Sequence, residues 1–129
     1  MRLLFVHQNY PGQFRHLAPA MAGRPDTEVV ALCMHERPLP DQLRVVRYRP
    51  TRGSSRSIHP WAADLETKVI RGEAAFRAAL ALRAEGFRPD VIVAHPGWGE
   101  SLFLKEVWPQ ARLGLYCEFF YRPVGLDVG

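Results

Sequence analysis

The stretch Arg2-Leu3-Leu4-Phe5-Val6-His7-Gln8-Asn9-Tyr10-Pro11-Gly12-Gln13-Phe14 decides the fold. Residues 2–6 form a short apolar run bounded by polar residues, the length of a buried strand. A polar loop follows, closed by Pro11-Gly12, which favours a tight turn. From Gln13 to Ala22 the residues Phe14, Leu17, Ala18 and Met21 fall at i, i+3, i+4 and i+7, which predicts one helical face. Pro19 removes a hydrogen bond within it, so the helix should be kinked or short, with Gly23 as its stop. Strand, polar loop and helix make the first half of a βαβ unit.

The pattern repeats along the chain. Val29 to Met34 is a second apolar run, and Arg44 to Tyr48 a weaker third strand. Pro60 suits a first helical position. A long helix is predicted from Pro60 to about Glu85, with Trp61, Leu65, Val69, Phe76 and Leu80 recurring near the helical period and Gly86 ending it. Pro89 to Ala94 reads as a strand buried on both faces. The loop His95-Pro96-Gly97-Trp98-Gly99 leads to a short helix through Val107, and Arg112 to Phe119 is the last strand. Apolar strands alternating with amphipathic helices imply a parallel sheet covered on both faces. Right-handed crossovers then give an α/β, Rossmann-like three-layer sandwich with a mainly parallel sheet of order 3-2-1-4-5.

Composition agrees with one soluble globular domain over residues 1–129. Apolar residues make up 47% and charged residues 23% of 129. No apolar run reaches 18 residues, so no membrane span is expected. The apolar start to Val6 is too short for a signal-peptide core, and a cytoplasmic location is expected. Cys33 and Cys117 sit in apolar runs without metal-ligand spacing and are expected as buried, reduced thiols. On strands two and five they would lie about 14 Å apart, too far for a disulfide. Net charge is +4, and Arg44, Arg47, Arg49, Arg52 and Arg56 share one stretch without an acid. Such a segment is either a solvated basic loop or a surface for phosphates or an anionic membrane. No zinc-finger spacing or aromatic signature of a single-strand binder accompanies it, so nucleic acid is not an expected partner.

In an open parallel sheet ligands bind beyond the carboxyl ends of the strands, where strand order reverses. The loops His7–Gln13 and His95–Ser101 converge there, with Glu118 beside them. Gly12 and Gln13 would open a helix N-terminus suited to an anion, and Gly12 would let a ligand approach the backbone. A tight turn explains the same residues. His95 could bond a sugar hydroxyl or act as acid or base; a loop histidine satisfied by backbone is the plain alternative. Trp98 offers a face for a sugar or base, or packs on the core. Glu118 could orient His95 or bind hydroxyls, or sit as a capped surface carboxylate. Tyr116, Phe119, Phe120 and Tyr121 cluster near the chain end and suggest an uncovered surface. The dinucleotide fingerprint, the receiver-domain acidic pair and the Gly-x-Ser-x-Gly nucleophile elbow are absent.

Arg2 to Leu17, Arg88 to Glu100 and Glu118 to Tyr121 resemble blocks of a bacterial subgroup of family 4 glycosyltransferases. The resemblance implies a GT-B enzyme, with two Rossmann-like domains facing a cleft. Such an enzyme transfers a sugar from a nucleotide-sugar to an acceptor with retention, usually without a metal or other cofactor. This chain resembles its N-terminal, acceptor-side domain. The nucleotide-binding domain with its Glu-x7-Glu pair would lie outside it, and the chain alone would be inactive. The resemblance places Gly12, with Gln13, near donor phosphate or transferred sugar, and His95 on the transferred sugar. His7, Asn9, Trp98 and Glu118 would shape the acceptor side or support it. The acceptor would be a glycan, polysaccharide or lipid-linked sugar, and the protein could sit peripherally on the inner face of the membrane. Two other readings stand beside it. One is a self-contained Rossmann-like module binding a nucleotide or phosphorylated sugar; the other is an interaction domain using the Arg44–Arg56 segment.

Overall fold

A computed structural model describes residues 1–38 and 43–117. Five parallel strands form one sheet: β1 (Arg2–Val6), β2 (Glu28–Cys33), β3 (Arg44–Arg47), β4 (Val91–Ala94) and β5 (Arg112–Leu115). Their order is β3-β2-β1-β4-β5, as the sequence pattern predicts. Register is fixed by in-line apolar pairs, with Leu4 between Val30 and Ile92 and Val6 between Leu32 and Ala94.

The two-residue period of the strands divides the core into two layers. Leu4, Val6, Val30, Leu32, Ile92 and Ala94 face helices α2 (Ala63–Ala84) and α3 (Leu104–Val107). Leu3, Phe5, Val29, Ala31 and Cys33 face the other side, where Tyr10, Phe14 and Ala18 cover them. Helix α1 (Leu17–Ala22) supplies Ala18. Every residue of β1 after Arg2 is buried, which explains its unbroken apolar run.

The helix expected from Gln13 to Ala22 is divided. A single 3-10 turn, Gly12–Phe14, precedes the short α1. Pro19 falls in the first turn of α1, where a missing N–H costs nothing, so the helix begins late rather than bending. The 60–85 segment is a 3-10 turn, Pro60–Ala62, running into α2. Its C-terminus is a Schellman motif: Gly86 takes φ +96°, its amide bonds Arg83 carbonyl at 2.9 Å, and the Phe87 amide bonds Leu82 carbonyl at 3.1 Å. Leu82 and Phe87, both buried, provide the apolar contact that accompanies this motif.

The face of α2 agrees with expectation at Phe76 and Leu80, which pack partly buried on the core, and differs in the first turns. Gly72, Ala74, Ala75, Ala79 and Leu82 are its buried residues, whereas Trp61, Leu65 and Val69 are exposed. Length explains this. Twenty-two residues span about 33 Å, while strands of four to six residues span roughly 13–20 Å. The first turns of α2 therefore overhang the carboxyl edge of the sheet. Cys117 is exposed, not buried, because it lies past the end of edge strand β5. Cys33 is buried and both thiols are free. The expected continuation of β5 to Phe119, the Phe119–Tyr121 aromatics and Glu118 lie outside the described residues.

Candidate functional site at the carboxyl edge of the sheet

Strands β1 and β4 are neighbours, and each delivers a histidine as it ends. The His7 amide bonds Leu32 carbonyl at 3.1 Å, and the His95 amide bonds Val6 carbonyl at 3.0 Å. The sheet ladder thus continues into both site residues and fixes where their side chains start. Both are buried, at 2% and 6% exposure. Their ring centroids are 5.2 Å apart. Trp98 stacks on His95 at 4.4 Å and 23°, and meets His7 edge-on at 5.3 Å. Phe14 closes the far side of His7 at 5.6 Å.

Loop hydrogen bonds set the imidazole tautomers. Asn9 N–H donates to His7 Nδ1 at 2.9 Å, and Gly97 N–H donates to His95 Nδ1 at 3.2 Å. An Nδ1 that accepts places the proton on Nε2. His7 Nε2 accordingly donates to Gln13 Oε1. His35, beyond β2, repeats the arrangement: Arg37 N–H donates to its Nδ1 at 3.2 Å and its Nε2 donates to Tyr10 carbonyl at 2.5 Å. Three adjacent strands therefore lead into histidines whose ring nitrogens pin their loops.

Two glycines allow these rings to lie flat on backbone. Gly12 has φ +47°, and a Cβ there would collide with the His7 ring. A Cβ on Gly97 would meet His95 Cε1 at 2.7 Å. Gly12 and Gln13 form an exposed rim, and the histidines form the floor.

Glu100 is the other buried polar group, at 1% exposure. Tyr48, just past β3, donates its hydroxyl to Glu100 Oε2 at 2.8 Å. Burial raises the Glu100 carboxyl above its ordinary value, against the lowering effect of the Tyr48 hydrogen bond and of Arg71 and His95. Burial, then the Glu100 charge, raises Tyr48 far above a usual phenol, so it stays a donor. A cavity of about 540 Å³, lined by Pro19, Ala22, Val29 and Leu43, lies near the opposite edge and holds none of this chemistry.

Residues 25–129 match the family model described as the glycosyl transferase family 4 group. The chain belongs to that family. No curated protein and no solved structure matches it. The match begins after the first site loop, so His7 and Gly12 enter the site through the fold and His95 through both the fold and the matched segment.

Of the residues singled out from sequence, the transferase fold brings His7, Gly12, Gln13, His95 and Trp98 together. Asn9 contributes its backbone amide and presents an exposed side chain. The helix expected to open at Gly12 and Gln13 begins there as one 3-10 turn, separate from α1, so a full helix dipole does not stand at that loop. Among the described residues no group of three or more His, Cys, Asp or Glu is placed to hold a metal. Sequence reasoning missed Tyr48 and Glu100 as a pair. It also missed Gln8, whose side-chain oxygen is buried without a partner among the described residues. The basic segment is largely engaged: Arg44 pairs with Glu85 at 2.5 Å, Arg49 with Glu36, and Arg47 bonds the carbonyls of His35 and Arg37.

Proposed function

We propose that this domain is the acceptor-side half of a retaining glycosyltransferase, moving a sugar from a nucleotide-sugar to a glycan, polysaccharide or lipid-linked acceptor. The observation that carries the reading is the His7–His95–Trp98 cluster beneath Gly12, at the point of the sheet where strand order reverses. The His95 imidazole, at the end of β4, is a side chain of the type that bonds a sugar hydroxyl. Trp98 adds an apolar face of the kind sugars pack on. Gly12 at positive φ exposes backbone where a donor phosphate or sugar could approach. Gln13, oriented by His7, would bond donor oxygens. Asn9 and His7 shape the acceptor side.

No nucleophile faces the cluster among the described residues. This favours attack by the acceptor on the same face as the departing phosphate, with that phosphate taking the acceptor proton. The bond from sugar to phosphate breaks as the bond from acceptor oxygen to sugar forms. No metal or other cofactor is required by this scheme. The nucleotide would be held by a second domain, in a cytoplasmic enzyme reaching acceptors at the membrane face.

The test is release of nucleoside diphosphate from UDP-glucose and GDP-mannose. The 129-residue chain alone is expected to release none above background. Joined to its nucleotide-binding domain it should turn over, and His95→Ala should lower kcat about a hundredfold or more. Robust transfer by the chain alone, or an unaffected His95→Ala enzyme, would overturn the reading.

A further inference from the structure

We propose that Glu100 is a positioning residue for the His7–His95–Trp98 cluster, the buried peg through which Tyr48 holds the 95–101 loop at the sheet edge. The inference rests on the reading of His95 as the sugar-contacting side chain, but its test uses no sugar transfer.

Three observations converge on it. The first is the span of the strap. Tyr48 follows edge strand β3, and its amide is fixed to Cys33 carbonyl at 3.1 Å. Glu100 belongs to the loop after β4, with β2 and β1 lying between β3 and β4. The Tyr48–Glu100 hydrogen bond therefore ties the site loop to a strand three places away. The second is how closely the loop is seated. Gly99 takes φ +105° against the Lys68 backbone, and a Cβ on Gly72 would stand 2.8 Å from Gly99 carbonyl. Neither position has room for a side chain, so the loop lies directly on α2 immediately before Glu100.

The third is the chemistry of the peg. Glu100 Oε1 is buried and has no hydrogen-bond partner among the described residues. An unpaired buried carboxyl oxygen is costly, and an apolar residue of similar volume would fill the same space without that cost. What a carboxyl adds is a directional acceptor for the Tyr48 hydroxyl. Two residues before it in the loop, Trp98 stacks on His95, and Gly97 N–H bonds His95 Nδ1. Fixing the end of this short loop fixes the amide that selects the His95 tautomer, and with it which ring nitrogen carries the proton.

The experiment reads the ring nitrogens. The 15N-labelled chain and its E100Q, E100A and Y48F variants are compared by two-bond 15N–1H correlation, with amide exchange followed at Gly97. Wild type and E100Q, whose amide oxygen still accepts from Tyr48, should show His95 with an accepting Nδ1 and a protonated Nε2. In E100A and Y48F the two His95 nitrogens should move towards each other as the tautomers mix. Gly97 exchange should quicken about tenfold or more. His7 and His35 should keep their signals. Y48F removes one oxygen atom and carries the test if E100A does not fold. A folded Y48F or E100A with unchanged His95 nitrogens would overturn the proposal. So would equal changes at His7, His35 and His95, which would mark general loosening. Either failure leaves the glycosyltransferase reading untouched, because that reading is tested by transfer.

Discussion

At the scale of single residues, the site depends on rings lying against backbone that lacks a Cβ. Gly12→Ala forces a side chain into the His7 ring at a φ that L residues rarely adopt. The expected cost is about 1–3 kcal/mol of stability, read by urea unfolding, together with loss of the His7–Gln13 hydrogen bond. Glu100 gives a second prediction. Burial lifts its carboxyl above the ordinary 4.5, so the folded chain holds that proton more tightly than the unfolded chain. Its contribution is fully present below the unfolded value. It is lost as pH rises from about that value through the folded one. Stability measured against pH should fall across that window in the wild type, with Arg71, His95 and Tyr48 as the groups facing Glu100. E100Q should flatten that fall, and an unchanged slope would refute the assignment. His7, His95, Gly12 and Trp98 were legible because polar or glycine residues interrupt apolar strands at defined places. Tyr48 and Glu100 were not. They meet only in space, 52 residues apart, and no local pattern marks either one.

At the scale of elements, α2 shows where periodicity misleads. Trp61, Leu65 and Val69 form a regular apolar stripe, yet Trp61 is 92% and Leu65 62% exposed. The buried face is built from Gly72, Ala74, Ala75, Ala79 and Leu82, and its small residues let the helix approach the sheet and the Gly99 loop. Small residues add little to a hydrophobic pattern, so the exposed Trp61, Leu65 and Val69 of the first turns read as one stripe with Phe76 and Leu80, which do pack on the core. The helix itself and its end at Gly86 were legible, since length and capping chemistry are local. Energetics should follow burial. Trp61→Ala and Leu65→Ala are each expected within about 0.5 kcal/mol of wild type, whereas Ala79→Leu should cost about 1–3 kcal/mol by overpacking. Urea midpoints at constant m-value decide this. A large loss from Trp61→Ala would mean that the overhang packs on something within the domain.

At the scale of the whole molecule, strand order was legible because buried parallel strands and right-handed crossovers leave few arrangements. That order alone places His7 and His95 side by side. Beyond the site, the fold leaves one surface whose parts were visible in sequence but not their adjacency. The 3-10 turn Pro60–Ala62 and the first turns of α2 carry Trp61 and Leu65 into solvent, and the loop bearing Arg52 and Arg56 is fastened to α2. Ser54 Oγ is hydrogen-bonded to Thr67 Oγ1 at 3.0 Å, and the Ser55 amide to Glu66. No helix among the described residues is long and apolar enough to cross a membrane. An exposed indole is the kind of side chain that sits at headgroup depth in a bilayer interface, and Arg52 and Arg56 of the attached loop could meet acidic lipid, against the opposing charge of Asp64 and Glu66 in the same turn. Vesicles of phosphatidylcholine with phosphatidylglycerol should sediment the chain at about 0.05 M salt and release it near 0.5 M. Arg52→Ala with Arg56→Ala should weaken binding by about 1 kcal/mol each, roughly 30-fold together. Trp61→Ala should weaken it further and remove a blue shift of tryptophan emission. Equal binding to neutral vesicles would assign the surface to apolar contact alone, and no binding to either would refute a membrane contact here.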